Sequence, residues 1–183
     1  MSARNSRFTR LAWRIPYRVA RGALVAIGYI HIRPYMAGYI RLLAAFGMKF
    51  TGKPRYIAQD VYFDDITKIS LGERVVISTG VRFLTHDYSL TTALNAIGEP
   101  FTSDIARVSG ITVGDNVFIG LRSIVLPNAK IGNNVIVGAG TIVRGTVPDN
   151  SVYIGNPGKV VGSLTDYAMK CKDIVDSGLV RQD

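Results

Sequence analysis

Between Val113 and Gly140 the chain reads VGDNVFIGLRSIVLPNAKIGNNVIVGAG, and its apolar positions return every sixth residue, at Val113, Ile119, Val125, Ile131 and Val137. A helical face recurs at about 3.6 residues and a half-buried strand at about 2. Six is a multiple of two, so each unit holds a three-residue strand followed by a turn. The register extends back through Leu71, Ile77 and Phe83 and forward to Val143. Glycine follows it at Gly72, Gly114, Gly120, Gly132 and Gly138, with Ser78 in the same place in another unit. The fifth position is small or β-branched at Val75, Val81, Val117, Ser123, Ala129, Val135, Thr141 and Val147, and fails only at Asp87. Short strands stacked turn on turn predict a parallel β-helix, an all-β solenoid. Glycine suits the corners, where the backbone turns sharply or approaches the neighbouring coil closely.

Ahead of the hexads the pattern is helical. Arg4, Arg7, Arg10, Arg14, Arg18 and Arg21 recur every three or four residues along one face, with Phe8, Leu11, Ile15 and Val19 on another. Pro16 is expected to bend or restart this helix. The apolar run from Gly22 to Ile32 is about half the roughly 20 residues that span a bilayer, and Arg33 and Arg41 interrupt any longer version. Hexads begin imperfectly near Ile57, with an insertion around Asp64 to Ser70, and break at Asp87. A long stretch without repeat follows before the coils resume near Val113, and a loop of that length inside a compact domain is usually functional. Leu164 to Val175 predicts a short C-terminal helix. Three parts result: a basic N-terminal helical segment (1–55), a β-helix domain (56–162, with a loop over about 87–110), and a C-terminal helix and tail (163–183).

Charge sharpens this division. The 183 residues carry a net charge of +9, yet residues 1–59 hold eleven Lys or Arg and no acid, while residues 60–183 sum to −2. Two readings of the basic segment stay open and can coexist: a cap over the end of the solenoid, or peripheral contact with an anionic membrane. Nucleic acid is not an expected partner, because aromatic platforms and a recognisable module are both lacking. Cys171 stands alone, so no internal disulfide is expected. No secretory signal is evident, and the expected location is cytoplasmic, at most peripheral at the inner face of the membrane.

The stretches ISLGERVVISTGVRFLTHDY, ITVGDNVFIGLRSIVLPNAKIG and VGAGTIVRGTVPDNSVYIGNPGKVVG lie within about Tyr56 to Val161. They resemble the hexapeptide-repeat acyltransferases, above all the maltose, galactoside and colanic acid O-acetyltransferases, and the elements THD, VFIG and GNPGKV make the resemblance specific. It implies a left-handed β-helix with three hexads per coil, a homotrimer with its cofactor groove between solenoids, and transfer of acetyl from acetyl-CoA to a saccharide hydroxyl. The basic N-terminus directs that expectation toward bacterial surface polysaccharide. Amino-sugar N-acetylation, antibiotic acetylation and a non-enzymatic solenoid scaffold remain alternatives.

His86 is the fourth residue of its hexad, directed out of the prism just before the long loop, and the resemblance makes it the general base. The chemistry fits: a sugar hydroxyl is a weak nucleophile, and an imidazole, with an ordinary pKa near 6.5, accepts its proton as it attacks a thioester. Asp87 is the candidate to orient the ring. Of Asp64 and Asp65, the resemblance favours Asp65 as a hydrogen-bond partner of the acceptor, against a plain solvated turn. Phe118 stands where relatives carry tryptophan in a WIG motif, as a stacking surface for acceptor or cofactor. The Leu121 N–H is the expected oxyanion donor. Ala139, Thr141, Arg144 and Lys159 are the expected cofactor contacts, with Arg122 a further candidate. No metal is expected. The zinc carbonic anhydrases of this fold use three histidines, and this chain has two, of which His31 lies in the helical region as a packed or interfacial residue. Cys171 lies outside every motif.

Overall fold

The structure, a computed structural model, describes residues 5–99, 101–178 and 180, with side chains described from residue 15 onward. The side chains of Arg4, Arg7, Phe8, Arg10, Leu11 and Arg14 therefore lie outside the described residues. Helix α1 (Asn5–Gly28) continues through Pro16 without a restart, and a short turn leads into α2 (Ile32–Ala45).

The chain then winds through successive coils. The first holds β1 (Lys49–Phe50), β2 (Tyr56–Ile57) and β3 (Tyr62–Phe63); the second β4 (Ile69–Leu71), β5 (Val76–Ile77) and β6 (Arg82–Phe83). The excursion from the coil contains β7 (His86–Asp87), α3 (Ser89–Ala96) and β8 (Arg107–Val108). Coils resume with β9 (Ile111–Val113), β10 (Val117–Ile119) and β11 (Ile124–Val125), then β12 (Lys130–Ile131), β13 (Val135–Val137) and β14 (Ile142–Val143). The last coil holds β15 (Thr146–Val147) and β16 (Ser151–Gly155); β17 (Gly158–Ser163) folds back antiparallel on β16 and leads into α4 (Leu164–Asp176).

Strands stack with their counterparts above and below in three parallel sheets, β1-β4-β9-β12-β15, β2-β5-β10-β13-β16 and β3-β6-β11-β14. The register follows the hexads: Val117 pairs with Val135 and Ile119 with Val137. Every first-position residue from Leu71 to Val143 is buried, and so, apart from the exposed Asp87, is every fifth-position residue, Ser123 and Thr141 included. The interior of the prism is this double column of small and branched side chains. The solenoid starts earlier than the hexads show, because β1 pairs with β4 inside the segment assigned to the helices.

Polar side chains order the corners. Arg74, Asn116, Asn134 and Asn150 all have φ between 54° and 56°. Asn tolerates this left-handed geometry better than most residues, and the Asn116 amide donates to Asn134, which donates to Asn150. At Gly120 the coils come so close that a Cβ would lie 2.6 Å from the Ala139 nitrogen.

Helix α2 closes the first end. Tyr35, Tyr39 and Leu43 are fully buried and join the solenoid core, and the Tyr35 hydroxyl donates to the Ile57 carbonyl at 3.1 Å. Helix α1 packs on α2. Arg21, expected on the basic outer face, points inward instead: its Nη2 donates to the carbonyls of Gln59 (2.7 Å) and Val61 (3.3 Å). Those carbonyls lie where the first coil has no strand above it, and a guanidinium with five donors satisfies both. Among the described residues no helix is long and apolar enough to cross a membrane.

Candidate active site

The parallel register of β3 and β6 builds the site. Phe63 pairs with Phe83, and the Asp64 N–H donates to the Phe83 carbonyl at 3.0 Å, so Asp64 lies one coil below Leu84 and Thr85. Its Oδ2 reaches the next coil, where it accepts from the Thr85 N–H (3.1 Å) and the Thr85 hydroxyl (3.0 Å). The same oxygen lies 2.6 Å from His86 Nδ1. Thr85 is fully buried, whereas the side chains of His86 and Asp64 are 30% and 26% exposed. Partial burial works against the Asp64 charge, but the hydrogen bonds from His86 and Thr85 outweigh it and hold the carboxyl below its usual range. An ionised Asp64 accepts a hydrogen bond from Nδ1–H, and in that tautomer the lone pair is on Nε2. The arrangement suits an imidazole held in one tautomer by a carboxylate, with Nε2 able to accept a proton.

Asp87 does not orient this ring. Its Oδ1 accepts from the Ser89 N–H at 3.0 Å, at the start of α3, because adjacent residues in extended backbone point to opposite sides. Those bonds from Ser89 hold its carboxyl low, and the charges of Arg107 and Arg144 add to the effect. The excursion that begins here is ordered, since β7 and β8 pair antiparallel and Thr91 bridges to Ile105 through both N–H and carbonyl.

The remaining predicted residues fall elsewhere. Asp65 Oδ1 accepts from the Thr67 N–H (3.0 Å) and hydroxyl (2.7 Å), so it caps the short 3₁₀ turn that forms the insertion. Thr141 does not fit a cofactor contact: it is fully buried, and its hydroxyl accepts from the Gly155 N–H at 3.2 Å inside the prism. Arg144 is exposed just past β14, and the pairing of Phe83, Val125 and Val143 puts it in one column with Leu84, on the edge where His86 sits. Phe118 is exposed on β10, in a different sheet, beside a cleft lined by Arg55, Arg74 and Ile136. Leu121 and Ala139 are exposed at the corner that follows that sheet, where the Leu121 carbonyl accepts from Gly140 at 2.7 Å. Lys159 is exposed on β17. Arg122 is exposed at the same corner as Leu121, with φ 56°. One solenoid thus joins His86, Asp64 and Thr85 at one edge and holds Phe118, Leu121 and Ala139 around a corner from them.

Residues 110–145 match the family model for the bacterial transferase hexapeptide of six repeats. Over those residues the chain carries the hexapeptide repeat of bacterial transferases. It is 26% identical over 175 residues to the galactoside O-acetyltransferase of Escherichia coli (strain K12), covering 87% of this chain and 85% of that one. To WbbJ of the same strain, named for an O-acetyl transfer in lipopolysaccharide biosynthesis, it is 30% identical over 104 residues, 55% of this chain and 53% of WbbJ. The match spans 53% to 59% of the length of the first curated relatives. A hexapeptide-repeat acetyltransferase of Vibrio cholerae O1 biovar eltor, solved with acetyl coenzyme A, superimposes with a TM-score of 0.51 at 18% identity, over 81% of this chain and 87% of that chain. The fold is the left-handed β-helix of this family.

The Asp64 and Thr85 contacts were not assigned from the sequence. Their signal is coil length. Phe63 to Phe83 spans 20 residues, against 18 from Phe118 to Ile136, so counting by a constant hexad misplaces the residues beside the insertion.

Proposed function

We propose that the chain is an acetyl-CoA-dependent O-acetyltransferase acting on a saccharide hydroxyl. The observation that carries this reading is the 2.6 Å contact between His86 Nδ1 and Asp64, which leaves Nε2 free as a base at the mouth of the excursion. His86 Nε2 takes the proton as the acceptor oxygen bonds to the acetyl carbonyl carbon. The carbon–sulfur bond breaks, and His86 returns that proton to the departing thiolate, so the base is regenerated. Asp64 keeps the ring oriented and stabilises the transient imidazolium. The Leu121 N–H, whose carbonyl alone is engaged by the next coil, is the donor to the carbonyl oxygen.

Exposed Ala139, Arg144 and Lys159 fit the amides and phosphates of coenzyme A, and the acetyl-CoA complex of the Vibrio neighbour supports that co-substrate. Because His86 and Leu121 occupy different corners of one prism, the working site takes His86 from one subunit and the Leu121 corner from the next, in a homotrimer. The name of the galactoside O-acetyltransferase supports a sugar acceptor, and that of WbbJ supports one in lipopolysaccharide biosynthesis.

The test is thiol release from acetyl-CoA against a panel of free sugars, amino sugars and lipid-linked saccharides, with products identified by mass spectrometry. Acceptor-dependent thiol release with an O-acetyl product supports the reading. An N-acetyl product moves it to amino sugars, and no binding of acetyl-CoA leaves a scaffold.

A further inference from the structure

The outer side of the helical cap has no cover in the fold. Helix α1 turns Tyr17, Arg21 and Leu24 toward α2 and the first coil. The opposite side leaves Ile15, Val19 and Ile27 exposed, and a spacing of four and eight residues sets them on one stripe. The stripe continues into the turn between the helices, where Tyr29 and Ile30 are 80% and 76% exposed and Ile32 follows. Exposure of that degree at an aromatic and a branched residue, side by side on a hairpin tip, marks a surface that is covered in use.

Charge decides what covers it. Exposed Arg18 lies beside Val19 and exposed Arg33 beside Ile32, and no Asp or Glu occurs before Asp60. A second copy of the chain would bring the same uncompensated positive charge against this face. An anionic lipid surface supplies the opposite charge and an apolar layer at once.

We infer that the outer stripe of α1 and the hairpin tip dock in the plane of an anionic membrane, with Ile15, Val19, Tyr29 and Ile30 at the acyl boundary and Arg18 and Arg33 at the headgroups. Arg21 takes no part, because the fold holds it against Gln59 and Val61. The same bonds tie α1 to the first coil just ahead of β3 (Tyr62–Phe63), which Asp64 follows, so the His86–Asp64 pair lies close to the docked end. For the proposed transferase this presents the base to acceptors held at the bilayer, a consequence that rests on that reading; the docking itself does not.

The experiment is flotation of the full chain with vesicles of phosphatidylcholine alone or mixed equally with phosphatidylglycerol, read without any activity assay. The chain is expected to float with the anionic vesicles and to be released by salt, because screening shortens the attraction to about 8 Å at physiological ionic strength. Replacing Ile15, Val19 and Ile30 together with Ser, all exposed positions, lowers partitioning about tenfold or more. Changing Arg18→Gln and Arg33→Gln lowers it about tenfold on anionic vesicles only. Equal flotation with both vesicle types, flotation with neither, or a triple-serine variant that floats like the parent overturns the proposal. A triple-serine variant whose assembly mass changes while flotation does not assigns the stripe to contact between chains, and overturns it as well.

Discussion

His86 Nδ1 and Asp64 Oδ2 lie 2.6 Å apart, and in the proposed mechanism the two side chains divide the work between them. On the proposed mechanism, replacing His86 with Ala removes the base, and turnover is expected to fall by roughly two to four orders of magnitude with little change in acetyl-CoA affinity. Asp64→Asn keeps the shape but not the charge that holds the Nδ1 proton. It is expected to lower kcat at least about tenfold while leaving the KM for acetyl-CoA near its starting value; steady-state kinetics on both substrates separate this from a loss of binding. Asp64 also links stability to pH. Its folded-state pKa is depressed, so its contribution is fully present above the unfolded carboxyl value of about 3.9 and is lost as pH falls through the lower folded value. Urea midpoints of the parent and Asp64→Asn should therefore differ by a constant amount above that value and converge in stronger acid.

A coil of the solenoid treats hydroxyls as internal parts. Ser123 donates to the Gly138 carbonyl at 2.9 Å, and Thr141 accepts from Gly155, both fully inside the prism. Thr141→Val keeps the volume and strands the Gly155 N–H, so the expected result is a loss of about 1–3 kcal/mol in chemical denaturation. The KM for acetyl-CoA should stay unchanged, which distinguishes a structural threonine from a cofactor contact. The fifth hexad position already carried this information. Thr141 occupies the column of Val117 and Val135, and the column places it inside whatever its chemistry suggests.

Across the whole molecule, His86 stands on one corner of the prism and Leu121 on another, so the proposed reaction needs corners from two subunits. The protein is expected to be a trimer in sedimentation equilibrium, with turnover confined to the trimer on dilution; a fully active monomer would remove the shared site. At the first end α2 closes the core, since Tyr35, Tyr39 and Leu43 bury against coil residues that would otherwise meet water. Capping is thus the task of α2, which leaves the outer side of α1 for the lipid contact argued above.

The solenoid, its interior columns and its break at Asp87 were all legible in the chain, because a period of six is local: each hexad states by itself which side chain points inward. His86 was legible for the same reason, as a fourth-position residue at the point where the period fails. The partner of His86 was not. Pairing between coils joins residues 20 apart across an insertion, and no local pattern says that Asp64 rather than Asp65 or Asp87 stacks beneath Thr85. The arginine face of α1 was visible as a spacing, yet only packing shows that Arg21 turns inward to the Gln59 and Val61 carbonyls while Arg18 stays in solvent. Periodicity records which face of an element is apolar; which polar group meets which depends on how the coils are stacked, and that is set by contacts far apart in the chain.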